Sequence, residues 1–191
     1  MLELTNPRWE ELAHAHGNAA DIPPLLEQLR SAVAPQDPES EPWSTLWKTL
    51  CQDNRVFTAS YAAVPHIVEI ASSQPLTERL AHLHFVSMIE ALRHRKEAPG
   101  LPADLAVDYL SSIQRAVSLM LPCFGSDWNG DAYRATLGGL SALLGHPELG
   151  MSIFEFTSEC ECPRCGNVFP PKGYDLFVEP LAPLLQVRSP H

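Results

Sequence analysis

The amino-acid sequence predicts a mainly α-helical fold, arranged as an α-solenoid of antiparallel helix pairs with a small β-hairpin near the C-terminus. Its 191 residues are 45% hydrophobic and 19% charged, a composition typical of a single globular domain. Apolar residues recur at helical spacing through most of the chain, whereas the alternation expected of strands is scarce before about residue 150. A short motif also recurs 42 positions later, from Ile22 to Val64.

The helices are predicted from their apolar stripes, as in Trp43, Leu46, Trp47 and Leu50, which recur at i, i+3, i+4 and i+7. Pro65 is expected to bend its helix or to mark the true start of that helix. Adjacent glycines at 138 and 139 indicate a close helix crossing. The predicted helices cover residues 19–33, 43–50, 57–73, 77–95, 103–121 and 131–144.

The recurring motif supports a repeat architecture. Residues 22–27 (IPPLLE) resemble residues 64–69 (VPHIVE), and residues 182–186 (APLLQ) form a weaker third copy. A spacing of 42 residues lies within the period of HEAT and armadillo repeats. Matches of six common apolar residues also arise by chance, but the agreement with helical hairpins favours a solenoid, whose long exposed surface suits macromolecular partners.

Charge and composition restrict the classes of partner and compartment. The formal net charge of −10 opposes binding to nucleic acid or anionic membrane and favours a basic protein, although solubility alone also explains it. Residues 1–11 lack the basic start and apolar run of a signal peptide, and no apolar stretch is long enough to span a bilayer. We therefore expect a cytoplasmic protein with reduced cysteines, because five is an odd number of them.

A cysteine cluster interrupts the helical pattern in residues 151–179, which we expect to form a hairpin insertion within a single domain spanning residues 1–191. Cys162 and Cys165, in the run Cys-Pro-Arg-Cys-Gly, have the spacing of a zinc knuckle. Cys160 supplies a third ligand, and the candidates for the fourth are Cys123, His146 and Cys51. The alternative is a reduced hairpin without metal. Either way the role is structural, because a complete protein ligand set leaves no position for a reacting water.

The polar residues contain no recognisable catalytic pattern, so we predict that the chain is not an enzyme. His82 and His84 lie on different faces of a helix and make a poor metal pair. His94 belongs to a basic cluster, residues 93–96, that is explained by the negative end of a helix dipole. His14 and His16 are interpreted as surface residues.

Two polar loops are the predicted contact sites for a partner. The first is the acidic, proline-rich connection of residues 35–42, and the second is the turn-rich segment of residues 125–131. A helix N-cap at Asp127 or Asp131 is the simpler interpretation of the second loop. The predicted contact residues are Asp37, Glu39, Glu41, Asp127, Trp128 and Asp131.

Residues 43–51 (WSTLWKTLC), residues 56–65 (VFTASYAAVP) and the late Cys-Pro-x-Cys-Gly knuckle resemble a group of bacterial HEAT-like proteins. The resemblance spans about residues 43–178 and implies a toxin-immunity protein, which binds and blocks a toxin domain made by the same cell. It implies no catalytic residues, and Cys160 is an addition to the pattern. The alternatives are a general HEAT-like scaffold, or a helical-repeat nucleic-acid binder or enzyme, which would need a basic groove.

Overall fold

Seven α-helices account for most of the residues that the structure describes. The structure is a computed structural model, and it describes residues 1–32, 39–124, 130–154, 160–161 and 168–169. The chain divides into two compact units, residues 1–154 and residues 155–191. The mainly helical fold is therefore confirmed. The helices are α1 (Ile22–Ser31), α2 (Trp43–Leu50), α3 (Thr58–Ser73), α4 (Leu76–Arg93), α5 (Ala103–Met120), α6 (Gly130–Leu143) and α7 (Pro147–Phe154).

Helix α3 is the centre of the helical unit. Twelve of its 16 residues are buried, and it packs against α1, α4 and α5. The helix continues through Pro65, so the prediction that this proline might mark its start is wrong. The helix starts earlier, at Thr58, because the Ser60 side chain caps this end. The Ser60 hydroxyl accepts a hydrogen bond from the Phe57 N–H at 2.9 Å and donates one to the Leu50 carbonyl at 2.7 Å. The first of these bonds satisfies a backbone donor that has no partner within the helix.

Two aromatic contacts join α2 to α4. The Trp43 ring lies edge-on against His82 with ring centres 4.6 Å apart, and the Trp47 ring stacks on Phe85 at 4.2 Å. Trp43 and Phe85 are both buried in the core. The predicted stripe of helix α2 therefore faces inward, as expected of an amphipathic helix.

Glycines allow α6 to approach its neighbours closely. A β-carbon added at Gly139 would lie 2.7 Å from the Ser87 Oγ of α4, and one at Gly138 would lie 3.1 Å from the Ile153 side chain of α7. The predicted close crossing is confirmed. Helix α6 ends at Leu143, and Gly145 then adopts a left-handed conformation (φ 88°), because this residue type reverses the chain without steric cost.

Helix α7 was not predicted, since residues 151–179, which include Ile153 and Phe154, were expected to form the hairpin insertion. For residues 151–154 that expectation is wrong. Pro147 suits a first helical turn, and Gly150 sits directly against Gly138 and Ala142 of α6. The local Ile-Phe pattern favours a strand, but packing against α6 decides the conformation.

Residues 1–21, which we call the N-terminal strap, contain no predicted element except residues 19–21, which were assigned to the first helix, and Trp9 anchors the strap in the core. The strap includes a 3₁₀ turn (Pro7–Glu11) and two short paired strands, β1 (Ala13–His14) and β2 (Gly17–Asn18). The His66 Nε2 of α3 lies 2.8 Å from the Leu2 carbonyl oxygen, and the Arg8 guanidinium donates to Asp104 of α5 at 3.0 Å. These contacts fasten the strap to helices far along the chain.

The unit of residues 155–191 contains a small antiparallel pair of strands, β3 (Cys160–Glu161) and β4 (Val168–Phe169), with Cys160 opposite Phe169. This pairing confirms a hairpin in the predicted region. The third copy of the repeat motif, residues 182–186, lies outside the described residues. Among the helices that are described, none has the length and apolar character needed to cross a membrane.

Candidate functional site

The structure describes one of the three cysteines of the predicted zinc knuckle. Cys160 lies in β3, whereas Cys162 and Cys165 lie outside the described residues. In the helical unit, Cys123 is 3% exposed, and its thiol lies 3.5 Å from the Leu119 carbonyl oxygen. Burial raises the pKa of Cys123 and of Cys51. Within the described ranges, no three His, Cys, Asp or Glu side chains form a group able to hold a metal.

The acidic residues before α2 are engaged at the start of that helix. Glu39 is an exposed side chain that accepts a hydrogen bond from Lys48 at 3.0 Å, and this bond lowers the pKa of the carboxyl. Glu41 accepts from the Thr45 hydroxyl at 3.0 Å, which places a negative charge at the positive end of the helix dipole. Asp37 of the same loop lies outside the described residues.

The second predicted contact loop is described only at its end. Asp127 and Trp128 lie outside the described residues, as does the side chain of Asp131. Helix α6 begins at Gly130, so Asp131 belongs to its first turn. The interpretation of Asp131 as the N-cap is therefore wrong. Of the six predicted contact residues, Glu39 and Glu41 are the two whose side chains the structure describes, and both lie at the start of α2.

A buried carboxylate that was not predicted joins α4 to α5. Glu90 is 4% exposed, and Arg93 donates to both of its oxygens, at 2.9 and 2.7 Å. The Tyr109 hydroxyl donates to Glu90 at 2.6 Å, and the His94 Nε2 lies 3.1 Å away. Burial alone would raise the pKa of Glu90, but the hydrogen bonds from Arg93 and Tyr109 outweigh it and lower that pKa.

This Glu90 cluster changes the interpretation of the basic segment at residues 93–96. Arg93 does lie in the last turn of α4, but its guanidinium is directed to Glu90. The i, i+3 spacing of Glu90 and Arg93 was visible in the sequence, whereas the contribution of Tyr109 from another helix was not. Because Glu90 is buried and both of its oxygens accept hydrogen bonds from within the protein, we interpret the cluster as structural.

His82 and His84 of α4 have separate contacts. His82 lies against Trp43, whereas His84 Nε2 lies 3.1 Å from the Thr136 hydroxyl of α6, which confirms that they do not form a pair. Burial lowers the pKa of both to about 4, so they are neutral at pH 7. His14 is 7% exposed, so its interpretation as a surface residue is wrong.

His14 has the partner of a catalytic histidine but lacks the free nitrogen. Its Nε2 lies 3.0 Å from the Asp21 carboxylate, and its Nδ1 accepts the His16 backbone N–H at 3.0 Å. Both ring nitrogens are therefore occupied by neighbouring groups. A general base needs one nitrogen within reach of the substrate, and His14 does not offer one. We therefore interpret the contact of His14 with Asp21 as a structural contact within the strap.

A polar cleft of about 480 Å³ lies across α1, α3 and α5, and we call it the serine cleft. This volume falls in the range of small-ligand sites. No sequence pattern predicted it, because its walls come from three helices that are distant in the chain. Its principal lining residues are Arg30, Glu69, Ser72, Ser111, Ser112 and Arg115.

The residues that resemble HEAT-like immunity proteins are mainly core residues. Trp43 is 2% exposed, and Tyr61 and Val64 are fully buried, so this resemblance concerns the fold more directly than a binding surface. No family model matches the chain, and neither a curated protein nor a solved structure is significantly similar to it.

Proposed function

We propose that the chain is a non-catalytic, HEAT-like binding protein that acts as an immunity protein, neutralising a bacterial toxin domain. The packing order of its helices carries the proposal. Helix α3 packs against α1, α4 and α5, and α4 packs against α6. These contacts support a two-layer stack in which α1, α3 and α5 form one layer and α2, α4 and α6 form the other.

The repeat motif supports the same arrangement. Ile22 and Val64, the first residues of the two copies, are both fully buried. The glutamates that end the copies, Glu27 and Glu69, lie on either side of the Arg30 guanidinium, at 3.7 and 3.6 Å. Equivalent residues of the two copies therefore meet across the contact of α1 with α3, as expected of successive repeats.

A stack of this kind also gives the two predicted contact loops a common position. The connections from α1 to α2 and from α5 to α6 both join the first layer to the second, and such connections share one edge of a helical repeat array. The acidic loop residues and Trp128 would then form one binding edge. A partner with a basic surface would be attracted to it, because complementary charge accelerates association.

The proposal is tested by co-expressing the chain with the toxin-like protein encoded beside its gene. We expect the chain to bind that protein and to restore growth. Combining Asp127→Lys with Trp128→Ala should weaken binding by about tenfold or more, because aromatic anchors dominate interface energies. Glu148→Lys makes the same change of charge at an exposed position of α7 and should leave binding unchanged.

The alternatives predict other outcomes in this experiment. Binding without restored growth would favour a general HEAT-like scaffold. If the chain neither binds nor neutralises the neighbouring product, the immunity function is wrong. Binding of an unrelated nucleic acid at physiological salt would favour the helical-repeat nucleic-acid binder instead.

We also propose that the hairpin holds one structural zinc ion through Cys160, Cys162 and Cys165. The pairing of β3 with β4 fits this role, because the two strands flank Cys162 and Cys165 in the chain and Cys160 lies in β3 itself.

Metal analysis of protein purified without chelator should find about one zinc ion per chain. Cys162→Ser should remove most of this zinc, since the exchange replaces a thiolate ligand by a weak hydroxyl. Cys51→Ala, which removes a thiol outside the Cys160–Cys165 cluster, should retain it. Folded protein that contains no zinc would exclude the site.

A further inference from the structure

The serine cleft contains hydroxyl groups that donate their protons to backbone carbonyls. Ser72 and Ser73 donate to the carbonyls of Glu69 and Ile70 (2.7 and 2.8 Å). Ser111 and Ser112 both donate to the Asp108 carbonyl, at 3.0 and 2.7 Å. A hydroxyl has one proton and two lone pairs. These serines therefore offer acceptors to the cleft, and its donors must come from other side chains.

The donors are the guanidinium groups of Arg30 and Arg115. Arg115 donates one hydrogen bond, to the Ser72 hydroxyl at 2.9 Å, which leaves most of its five N–H groups available. Arg30 lies 3.6 Å from Glu69 and 3.7 Å from Glu27, beyond good hydrogen-bond distance. Both arginines are on the surface and are accessible to a ligand.

The charges of the cleft leave one cation uncompensated. Asp108 pairs with the amino group of Met1 at 2.7 Å, and Glu69 is the nearest carboxylate to Arg30. Among the residues that the structure describes, Arg115 has no carboxylate within ion-pair distance. A carboxylate is its natural partner, because two oxygens match the fork of a guanidinium.

The acceptors that the cleft offers to a ligand are the serine hydroxyls. The Oε2 atom of Glu69 is inaccessible to solvent and lies 3.6 Å from the Arg30 guanidinium, so it faces Arg30 and a ligand does not reach it. A ligand that satisfies Arg115 and the serines together must carry an acidic group and an N–H or O–H group.

We propose that the serine cleft binds a small acid that also carries a hydrogen-bond donor, of the amino acid or hydroxy acid class. Arg115 binds the carboxylate of the ligand. The donor group of the ligand bonds to the free lone pairs of the serine hydroxyls. This site is independent of toxin binding, so either proposal can fail without the other.

Isothermal titration calorimetry of the full chain with L-glutamate, L-malate and acetate tests the proposal. We expect saturable binding of glutamate or malate, and binding of acetate that is weaker by about tenfold, since acetate lacks the donor. Arg115→Ala should weaken the binding of glutamate and malate by about tenfold or more, as expected for loss of a charged hydrogen bond.

Arg55→Ala is the matched control, because Arg55 is an exposed arginine beside Asp53 and outside the cleft. It should bind the acids as the unmodified chain does. Thermal melting of both variants establishes that they are folded. If neither glutamate nor malate binds saturably, or if Arg115→Ala binds them as tightly as Arg55→Ala, the proposed site does not exist. Equal affinities for acetate and glutamate would also overturn the assignment of the ligand class.

Discussion

Replacing Glu90 by alanine should lower the free energy of unfolding by about 3–5 kcal/mol, the range observed when one partner of a buried ion pair is removed. The change leaves the Arg93 guanidinium and the Tyr109 hydroxyl without their shared acceptor. The hydroxyl of Tyr109 lies in a fully buried side chain, where water cannot replace the lost bond. Urea denaturation followed by circular dichroism measures the difference.

Two further variants separate the Glu90 cluster from a general effect of removing a glutamate. Glu97→Ala changes an exposed residue four positions beyond the end of α4 at Arg93, and it should change stability by less than about 0.5 kcal/mol. Tyr109→Phe removes one of the bonds to Glu90 and should cost about 1.5–3 kcal/mol. If Glu90→Ala is no more destabilising than Glu97→Ala, the cluster does not hold α4 and α5 together.

Gly150→Ala should destabilise the chain by about 1–3 kcal/mol, the usual cost of inserting atoms into a closely packed contact. The added β-carbon would lie 2.8 Å from the Gly138 carbonyl oxygen and 2.9 Å from the Ala142 side chain. Both belong to α6, so one of the two helices must move. Thermal melting monitored at 222 nm measures the loss of stability.

Gly100→Ala provides the matched control, because a β-carbon at Gly100 meets nothing within 4 Å. Its melting temperature should be unchanged or slightly higher, since alanine reduces the conformational freedom of the unfolded chain. If the Gly150→Ala variant has the same melting temperature as Gly100→Ala, the close approach of α6 and α7 is not required for stability.

The sequence was sufficient to predict a helix where the periodicity of apolar residues decides the local conformation. Helices α2 and α5 begin at the predicted residues, Trp43 and Ala103, because their apolar stripes and flanking breakers agree. Helix α7 was missed because its short apolar run fits a strand equally well, and the choice depends on the contact of Gly150 with another helix. The N-terminal strap was missed because its turns are stabilised by distant residues.

The polar sites also differ in how far the sequence alone could predict them. The Glu90 and Arg93 pair was within reach of sequence reasoning, because the two residues are one helical turn apart. The contribution of Tyr109 and the serine cleft was not, since each depends on which helices become neighbours. Individual serines in α3 and α5 carry no pattern that distinguishes a site from ordinary surface polarity.

The N-terminal strap closes a long loop of the chain. Arg8 donates to Asp104, which follows it by 96 positions, so this contact encloses helices α1 to α4. Closing a loop of that length costs conformational entropy before the contact is made, and such long-range contacts slow folding. We therefore expect this contact to form after neighbouring helices have paired.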